Sequence, residues 1–198
     1  MNDDQPVGRV AYHVIYPSQP VKAQTDNLFK NILQPDWEHN RIAIDAELDQ
    51  SQPKSRITQV INEFGFICKQ RTGRLPILYS RRNWILEYTN VVDLMDFDLW
   101  LAQYLWPRPY PLYTPEYEPP PTLIEGRDWL IHQGSSKGKG DDVGVFGKHY
   151  VDHNRWNGGA EAIADYFQLD GVQPPPMTLE ERVADNTRRI EILEETQY

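Results

Sequence analysis

Two hydrophobic periodicities alternate along this chain, and their alternation restricts its fold more than any other property. Residues 9–16 (Arg-Val-Ala-Tyr-His-Val-Ile-Tyr) are rich in β-branched and aromatic side chains and stop at Pro17, which reads as a buried strand. Val21, Leu28 and Ile32 then recur at helical spacing with Thr25 filling the stripe, so a helix is predicted over residues 20–33. The pair repeats. A strand at 41–47 precedes a helix marked by Ile57, Val60, Ile61 and Phe64, starting near Pro53, which suits a first helical turn. A strand at 74–80 precedes a short helix at 81–88. Further strands are predicted at 98–104, 128–133 and 149–154, and the last runs through Asn157, an N-cap candidate, into a helix bearing Ala160, Ile163, Ala164 and Phe167 on one side. Strands alternating with helices imply an α/β fold with a parallel sheet, and six such strands suggest a barrel or a large part of one.

Two stretches interrupt the alternation. Between the strands at 98–104 and 128–133, prolines at 107, 109, 111, 115 and 119–121 forbid a persistent helix, so an extended, aromatic-bearing loop is expected. Residues 134–142, with Gly134, Gly138 and Gly140 among serines and lysines, read as a flexible loop. After Pro174-Pro175-Pro176, Leu179, Val183, Asn186, Ile190 and Leu193 fall at spacings of 4, 3, 4 and 3, a heptad stripe with one polar member. Such a helix either lies on its own domain or opens a longer coiled coil. The expected organisation is an N-terminal tail at 1–8, a barrel domain at 9–173, and a proline linker with a short helix at 174–198.

Composition removes several function classes. The 198 residues carry 20 basic and 29 acidic groups, a formal charge of −9, with no Lys/Arg block to track phosphates, so no nucleic-acid partner is expected. Apolar runs are only a handful of residues, short of the roughly 18 needed to span a bilayer. The N-terminus, MNDDQPVG, is acidic where a signal peptide is basic and then apolar, so synthesis in the cytoplasm is expected. Cys68, the sole cysteine, sits in the apolar run Phe66-Ile67-Cys68 and reads as core. Five histidines accompany the acids, but no H-E-x-x-H occurs, and His149 and His153, four residues apart, fall on a segment read as a strand, where that spacing gives no special convergence, so neither a metal nor a cofactor is expected. No G-x-S-x-G elbow or Walker spacing is present.

The chemistry-bearing residues gather at strand ends. In Ile42-Ala43-Ile44-Asp45-Ala46-Glu47 the side chains alternate, so Ala43, Asp45 and Glu47 share one face. Two carboxylates become neighbours at the C-terminal end of a strand, where barrel sites are built. Tyr12 and His13, Tyr79, Gln103 and Tyr104, Gln133, and Asp152 with Asn154 lie near the same ends of their strands. Acids to move protons, amides to hold hydroxyls and aromatics to stack on sugar faces make up a glycan site.

Six segments, in order, resemble glycoside hydrolase family 25, the Chalaropsis-type lysozymes common among phage endolysins. Val10-Ala11-Tyr12-His13-Val14 resembles the family's Gly-Ala-Tyr-His-Phe strand, with Gln24 where a Gln-Ala pair is common. Ile44-Asp45-Ala46-Glu47 is similar to its D-x-E strand. Thr72-Gly73 with residues 75–80 resembles a Thr-Gly turn leading to a Pro-x-Ile-Tyr-Thr strand, and residues 99–104 (LWLAQY) resemble "LWIAQY". Residues 130–136 resemble W-Q-Y-S-S with His132 in place of Trp. Residues 151–158 resemble the closing V-D-x-N-x-F-x-G. The family's opening D-x-S strand and its second strand have no counterpart before residue 9, and Asp3 and Asp4 do not resemble them.

The resemblance implies a (β/α) TIM-like barrel, incomplete or N-terminally truncated, with a C-terminal helix. It also implies hydrolysis of the β-1,4 bond between N-acetylmuramic acid and N-acetylglucosamine in peptidoglycan. Carried over, Glu47 is the general acid, Asp45 and Asp152 are its acidic companions, and Tyr12, Tyr79, Tyr104 and Gln133 line the sugar groove. The expected partner is the glycan strand of the cell wall. Two open sheet edges and the heptad stripe also point to a homo-oligomer. The alternative is a non-catalytic glycan-binding or phage-particle module built on the same fold.

Overall fold

The computed structural model describes residues 8–32, 36–104, 121–122, 124–139 and 150–169. Its elements run β1 (Arg9–Val14), α1 (Val21–Asn31), β2 (Asn40–Asp45), α2 (Lys54–Thr72), β3 (Ile77–Arg81), α3 (Arg82–Tyr88), β4 (Leu99–Ala102), β5 (Ile131–Lys139), β6 (Tyr150–Trp156) and α4 (Ala160–Phe167). A single 3-10 turn, Val91–Asp93, links α3 to β4. The six strands form one sheet in sequence order, β1-β2-β3-β4-β5-β6. This is the curled α/β half-barrel, with β1 and β6 at its two ends.

The first five strands are mutually parallel, as the alternation with helices requires, because a parallel neighbour is reached only through a crossover. β6 departs from the expectation. It runs antiparallel to β5, pairing Ile131 with Trp156 and Lys139 with Tyr150. The reason lies in residues 134–139, which were expected to be loop and instead extend β5 well past Gln133. The lengthened β5 gives β6 an antiparallel ladder that begins at Lys139 and Tyr150, and an antiparallel neighbour requires no helical crossover. The ladder is irregular, with register shifts between Gln133 and Ser135 and between Ser135 and Gly138, which accommodate the glycine-rich composition.

One face of the sheet carries the main core. Ile42 and Ile44 of β2, Leu78 of β3, and Leu99 and Leu101 of β4 are buried against Val21 and Leu28 of α1 and Ile57, Val60, Ile61 and Phe64 of α2. Thr25 is fully buried and returns its hydroxyl to the Val21 carbonyl at 3.1 Å, which is how a polar residue sits in the apolar stripe. Helix α2 ends at Gly73, whose φ of 81° supplies the left-handed C-cap that side chains resist. Cys68 is buried in this core, and burial pushes its thiol up to about 12. Pro53 occupies the N-cap of α2.

A smaller cluster of Ala43, Ile77 and Ile131 lies apart from the main core, with Val10, Trp100, Trp156 and Tyr166 packed on it. The N-cap of α4 is Gly159, not Asn157. Asn157 instead donates from Nδ2 to Asp128 Oδ1 and the Trp129 carbonyl, tying the end of β6 to the segment before β5. Among the described residues, no helix is long and apolar enough to cross a membrane. Residues 105–120 of the proline-rich loop, the rest of the 134–142 segment, Asp3 and Asp4, and the 174–198 linker and helix lie outside the described residues.

Candidate active site

The register of the sheet decides which side chains meet. Tyr12 is opposite Ala43, Asp45 opposite Tyr79, Tyr79 opposite Trp100, and Ala102 opposite Gln133. Residues alternating with the buried Ile42, Ile44, Leu99 and Leu101 therefore form one row across the opposite face of the sheet. They line a groove of about 460 Å³ bounded by Val10, Tyr12, Ala43, Asp45, Glu47, Tyr79, Trp100, Gln133 and Asp152. That volume suits a sugar unit or two.

Glu47 lies just beyond β2 on backbone that stays anchored to β3. The Ala46 amide donates to the Tyr79 carbonyl at 3.0 Å, and the Ser80 hydroxyl donates to the Ala46 carbonyl at 2.5 Å. Glu47 Oε1 accepts from Arg81 Nε at 2.9 Å. Asp45 is half-buried, and its Oδ1 has no hydrogen-bond partner among the described residues. Burial, and secondarily the neighbouring Glu47 charge, raises its carboxyl to about 6.

Gln133 is buried at the groove floor and organises two tyrosines. Its Oε1 accepts from Tyr79 Oη at 3.0 Å and from Tyr104 Oη at 3.1 Å. Burial chiefly, then the surrounding charges of Glu47, Tyr104, Asp45 and Asp152, raises the Tyr79 phenol, so it remains a hydrogen-bond donor. Tyr79 also packs edge-on to Trp100 at 5.2 Å between centroids, and Trp100 Nε1 donates to Asn154 Oδ1 at 2.8 Å. Tyr12 is 71% exposed at the rim, as an aromatic platform for a ligand must be.

Asp152 reaches the groove by a route the sequence did not suggest. It was placed there as the C-terminal end of a parallel strand; because β6 is antiparallel, the rim is instead reached by residues near the start of β6. Tyr104 lines the adjoining groove, touching this one through its hydroxyl on Gln133. His13 does not face the groove: it stacks on Phe64 at 5.2 Å, contacts Gln24 at 3.4 Å, and its proton affinity is lowered by burial. Gln24 is structural, its Oε1 accepting from the Tyr16 amide at 2.9 Å and its Nε2 donating to the Tyr16 carbonyl at 3.0 Å. Gln103 also turns away, accepting from the Thr122 amide at 2.9 Å. His132 is buried, with Nε2 on the Gln103 carbonyl at 2.7 Å and Nδ1 accepting from Arg155 Nε at 3.1 Å, a polar replacement for Trp that is fully satisfied.

Trp100 and Arg81 were missed as site residues. Strict alternation with Leu99 and Leu101 is the signal that assigns Trp100 to the groove. Arg81 carries the same signal, since it alternates with the buried Ser80 and shares the face of Tyr79 at the last position of β3, but its pairing with Glu47 depends on the path of the chain just beyond β2. Asp36, Glu38 and His39 are close enough together to hold a cation, but they are surface groups leading into β2, at the end away from Asp45, and line no part of the groove.

The groove can now be set beside known proteins. The family described as Glycosyl hydrolases family 25 matches residues 3–143. Among solved structures, a family 25 glycosyl hydrolase from Bacillus anthracis aligns with a TM-score of 0.61 at 19% identity, covering 78% of this chain and 66% of that one. A muramidase from Acremonium alcalophilum aligns at 0.60 and 19% identity, covering 82% and 74%. A bacterial lysozyme from Streptomyces coelicolor aligns at 0.58 and 21% identity, covering 79% and 70%. A search of curated protein sequences gives no match. With the family match spanning most of the chain and the half-barrel shared with these structures, the chain belongs to glycosyl hydrolase family 25.

Proposed function

We propose that this protein is a peptidoglycan hydrolase of the lysozyme or muramidase type, cleaving the β-1,4 bond between N-acetylmuramic acid and N-acetylglucosamine in the cell wall. The observation that carries the reading is the meeting of Asp45, Glu47 and Asp152 round one aromatic-walled groove, although Asp152 lies on a strand remote in sequence. Family membership and the muramidase and lysozyme among the similar structures support it.

In this reading Glu47 gives its proton to the bridging oxygen as the C1–O bond breaks and the bonding pair stays with that oxygen. Positive charge develops on the sugar ring or is taken up by its N-acetyl group. Asp45 and Asp152 steady that charge from the groove wall. Water then supplies hydroxide to C1, and its remaining proton returns to Glu47, so one water is consumed for each bond. Tyr12 and Trp100 offer ring faces to the sugars, while the Tyr79, Tyr104 and Gln133 network fixes the floor.

Glu47→Gln keeps the side chain's shape and removes the titrating proton. Turbidity of purified cell walls should fall with the wild-type protein and about 10²- to 10⁴-fold more slowly with the variant. Equal rates would remove Glu47 from the mechanism. Walls bound but left intact by both proteins would make the chain a non-catalytic glycan-binding module.

A further inference from the structure

The central groove has a charge problem. Asp45, Glu47 and Asp152 line it, and among the described residues no lysine or arginine does. A glycan bearing its own carboxylate, as N-acetylmuramic acid does through its lactyl ether, meets three like charges there. Beside it lies a second groove of about 660 Å³, lined by Glu47, Arg81, Arg82, Glu87 and Tyr104 among others. Glu47 lines both grooves. Arg81 is 59% exposed in its side chain and spends its Nε on Glu47 Oε1 at 2.9 Å. Arg82 is less available, since its Nε donates to the Thr122 carbonyl at 3.0 Å.

Two consequences follow from that single ion pair. First, Arg81 is an exposed cation in contact with Glu47, with planar donors suited to a carboxylate. Second, one of the two oxygens with which Glu47 would meet a glycosidic oxygen is occupied by the guanidinium. A carboxylate arriving from the second groove competes for the same donors. An exposed ion pair is worth little on its own, so the exchange is inexpensive.

Resting on the hydrolase reading of Glu47, we propose that Arg81 selects glycans that carry a carboxylate. The guanidinium receives that carboxylate in the second groove and in doing so gives up Glu47, which takes a proton from solvent and turns to the glycosidic oxygen as the acid. Asp49 and Glu87, which also line this groove, keep it from being a general anion trap and require the anion to sit on the Arg81 side. Arg81 is thus a positioning and specificity residue; it transfers no proton.

The test uses two hexasaccharides of equal length, an all-N-acetylglucosamine chain and a peptide-free chain alternating N-acetylglucosamine with N-acetylmuramic acid. Wild-type kcat/KM should favour the acidic glycan by about tenfold at low salt, the scale of one charge-assisted contact, and the preference should shrink as salt is added. Arg81→Gln should abolish the preference and Arg81→Lys should keep part of it. A preference that survives in Arg81→Gln, or none in the wild type, overturns the proposal while leaving the hydrolase reading intact. A second readout does not need turnover: the side-chain 15Nε resonance of Arg81, assigned by its loss in Arg81→Gln, should move with N-acetylmuramic acid and stay in place with N-acetylglucosamine. Selective movement without cleavage of either hexasaccharide would keep the anion site and overturn the hydrolase reading. Equal responses to the two sugars would overturn the anion site.

Discussion

Tyr79 Oη and Gln133 Oε1 stand 3.0 Å apart across the groove floor, and Tyr104 Oη shares the same oxygen at 3.1 Å. Three neighbouring strands are thereby tied through one amide, because Tyr79 belongs to β3, Gln133 to β5, and Tyr104 follows β4. Both phenols donate, so Gln133 is the acceptor on which their positions depend.

Gln133→Leu keeps the volume and deletes that acceptor, leaving the partly buried Tyr79 phenol unsatisfied. An unsatisfied buried group costs about 1–3 kcal/mol, so the urea midpoint should fall accordingly. Cell-wall turnover should drop as well, since the walls of the groove lose their spacing. A variant with wild-type midpoint and wild-type turnover would show that the tyrosines are held by packing alone.

Asp45 yields a pH prediction. Its carboxyl is raised to about 6 by burial and by Glu47, against an unfolded value near 3.8. A raised carboxyl binds its proton more tightly when folded, so its contribution to stability is complete below the unfolded value and is lost as pH climbs towards 6. The protein should therefore lose stability between about pH 4 and 6 through this residue, and Asp45→Asn should remove that part of the slope. After allowance for partial solvent contact, the variant should gain on the order of 1 kcal/mol at pH 7 while losing activity. Denaturant melts of both proteins at pH 4 and pH 7 would check it; parallel pH profiles would remove Asp45 as a source of strain.

Much of this arrangement was legible in the chain. The period-two alternation in residues 42–47 put Asp45 and Glu47 on the face opposite Ile42 and Ile44, and the structure keeps them so. The helix stripes of α1 and α2 were equally direct, because burial on one face writes a 3.6-residue period into the sequence. The direction of β6 was not legible. Parallel and antiparallel neighbours differ in connection, and the deciding fact was that Gly134-Ser135-Ser136-Lys137-Gly138 extends β5 although its composition is that of a loop. Pairing overrode propensity there. His13 failed for a related reason: it follows Tyr12 directly, and adjacent residues on a strand face opposite ways, so only one of the two can serve the groove.

The last prediction concerns assembly, which we propose from two independent features. At the ends of the described sheet, β1 pairs only with β2 and β6 only with β5, and unpaired strand edges recruit other chains. In the sequence, Leu179, Val183, Asn186, Ile190 and Leu193 form a heptad stripe, with a single polar member able to set register at some cost in stability. Charge does not forbid association, since residues 177–198 hold three arginines, Arg182, Arg188 and Arg189, among six acids that a neighbour could offer them. The expected outcome is a homo-oligomer that weakens when the chain is ended at Gln173. Light scattering on the two proteins at micromolar concentration decides between the features: loss of association on shortening assigns it to the heptads, and unchanged association assigns it to the sheet edges. Two monomers would mean that the edges are covered within one chain and that the heptad stripe lies on its own domain.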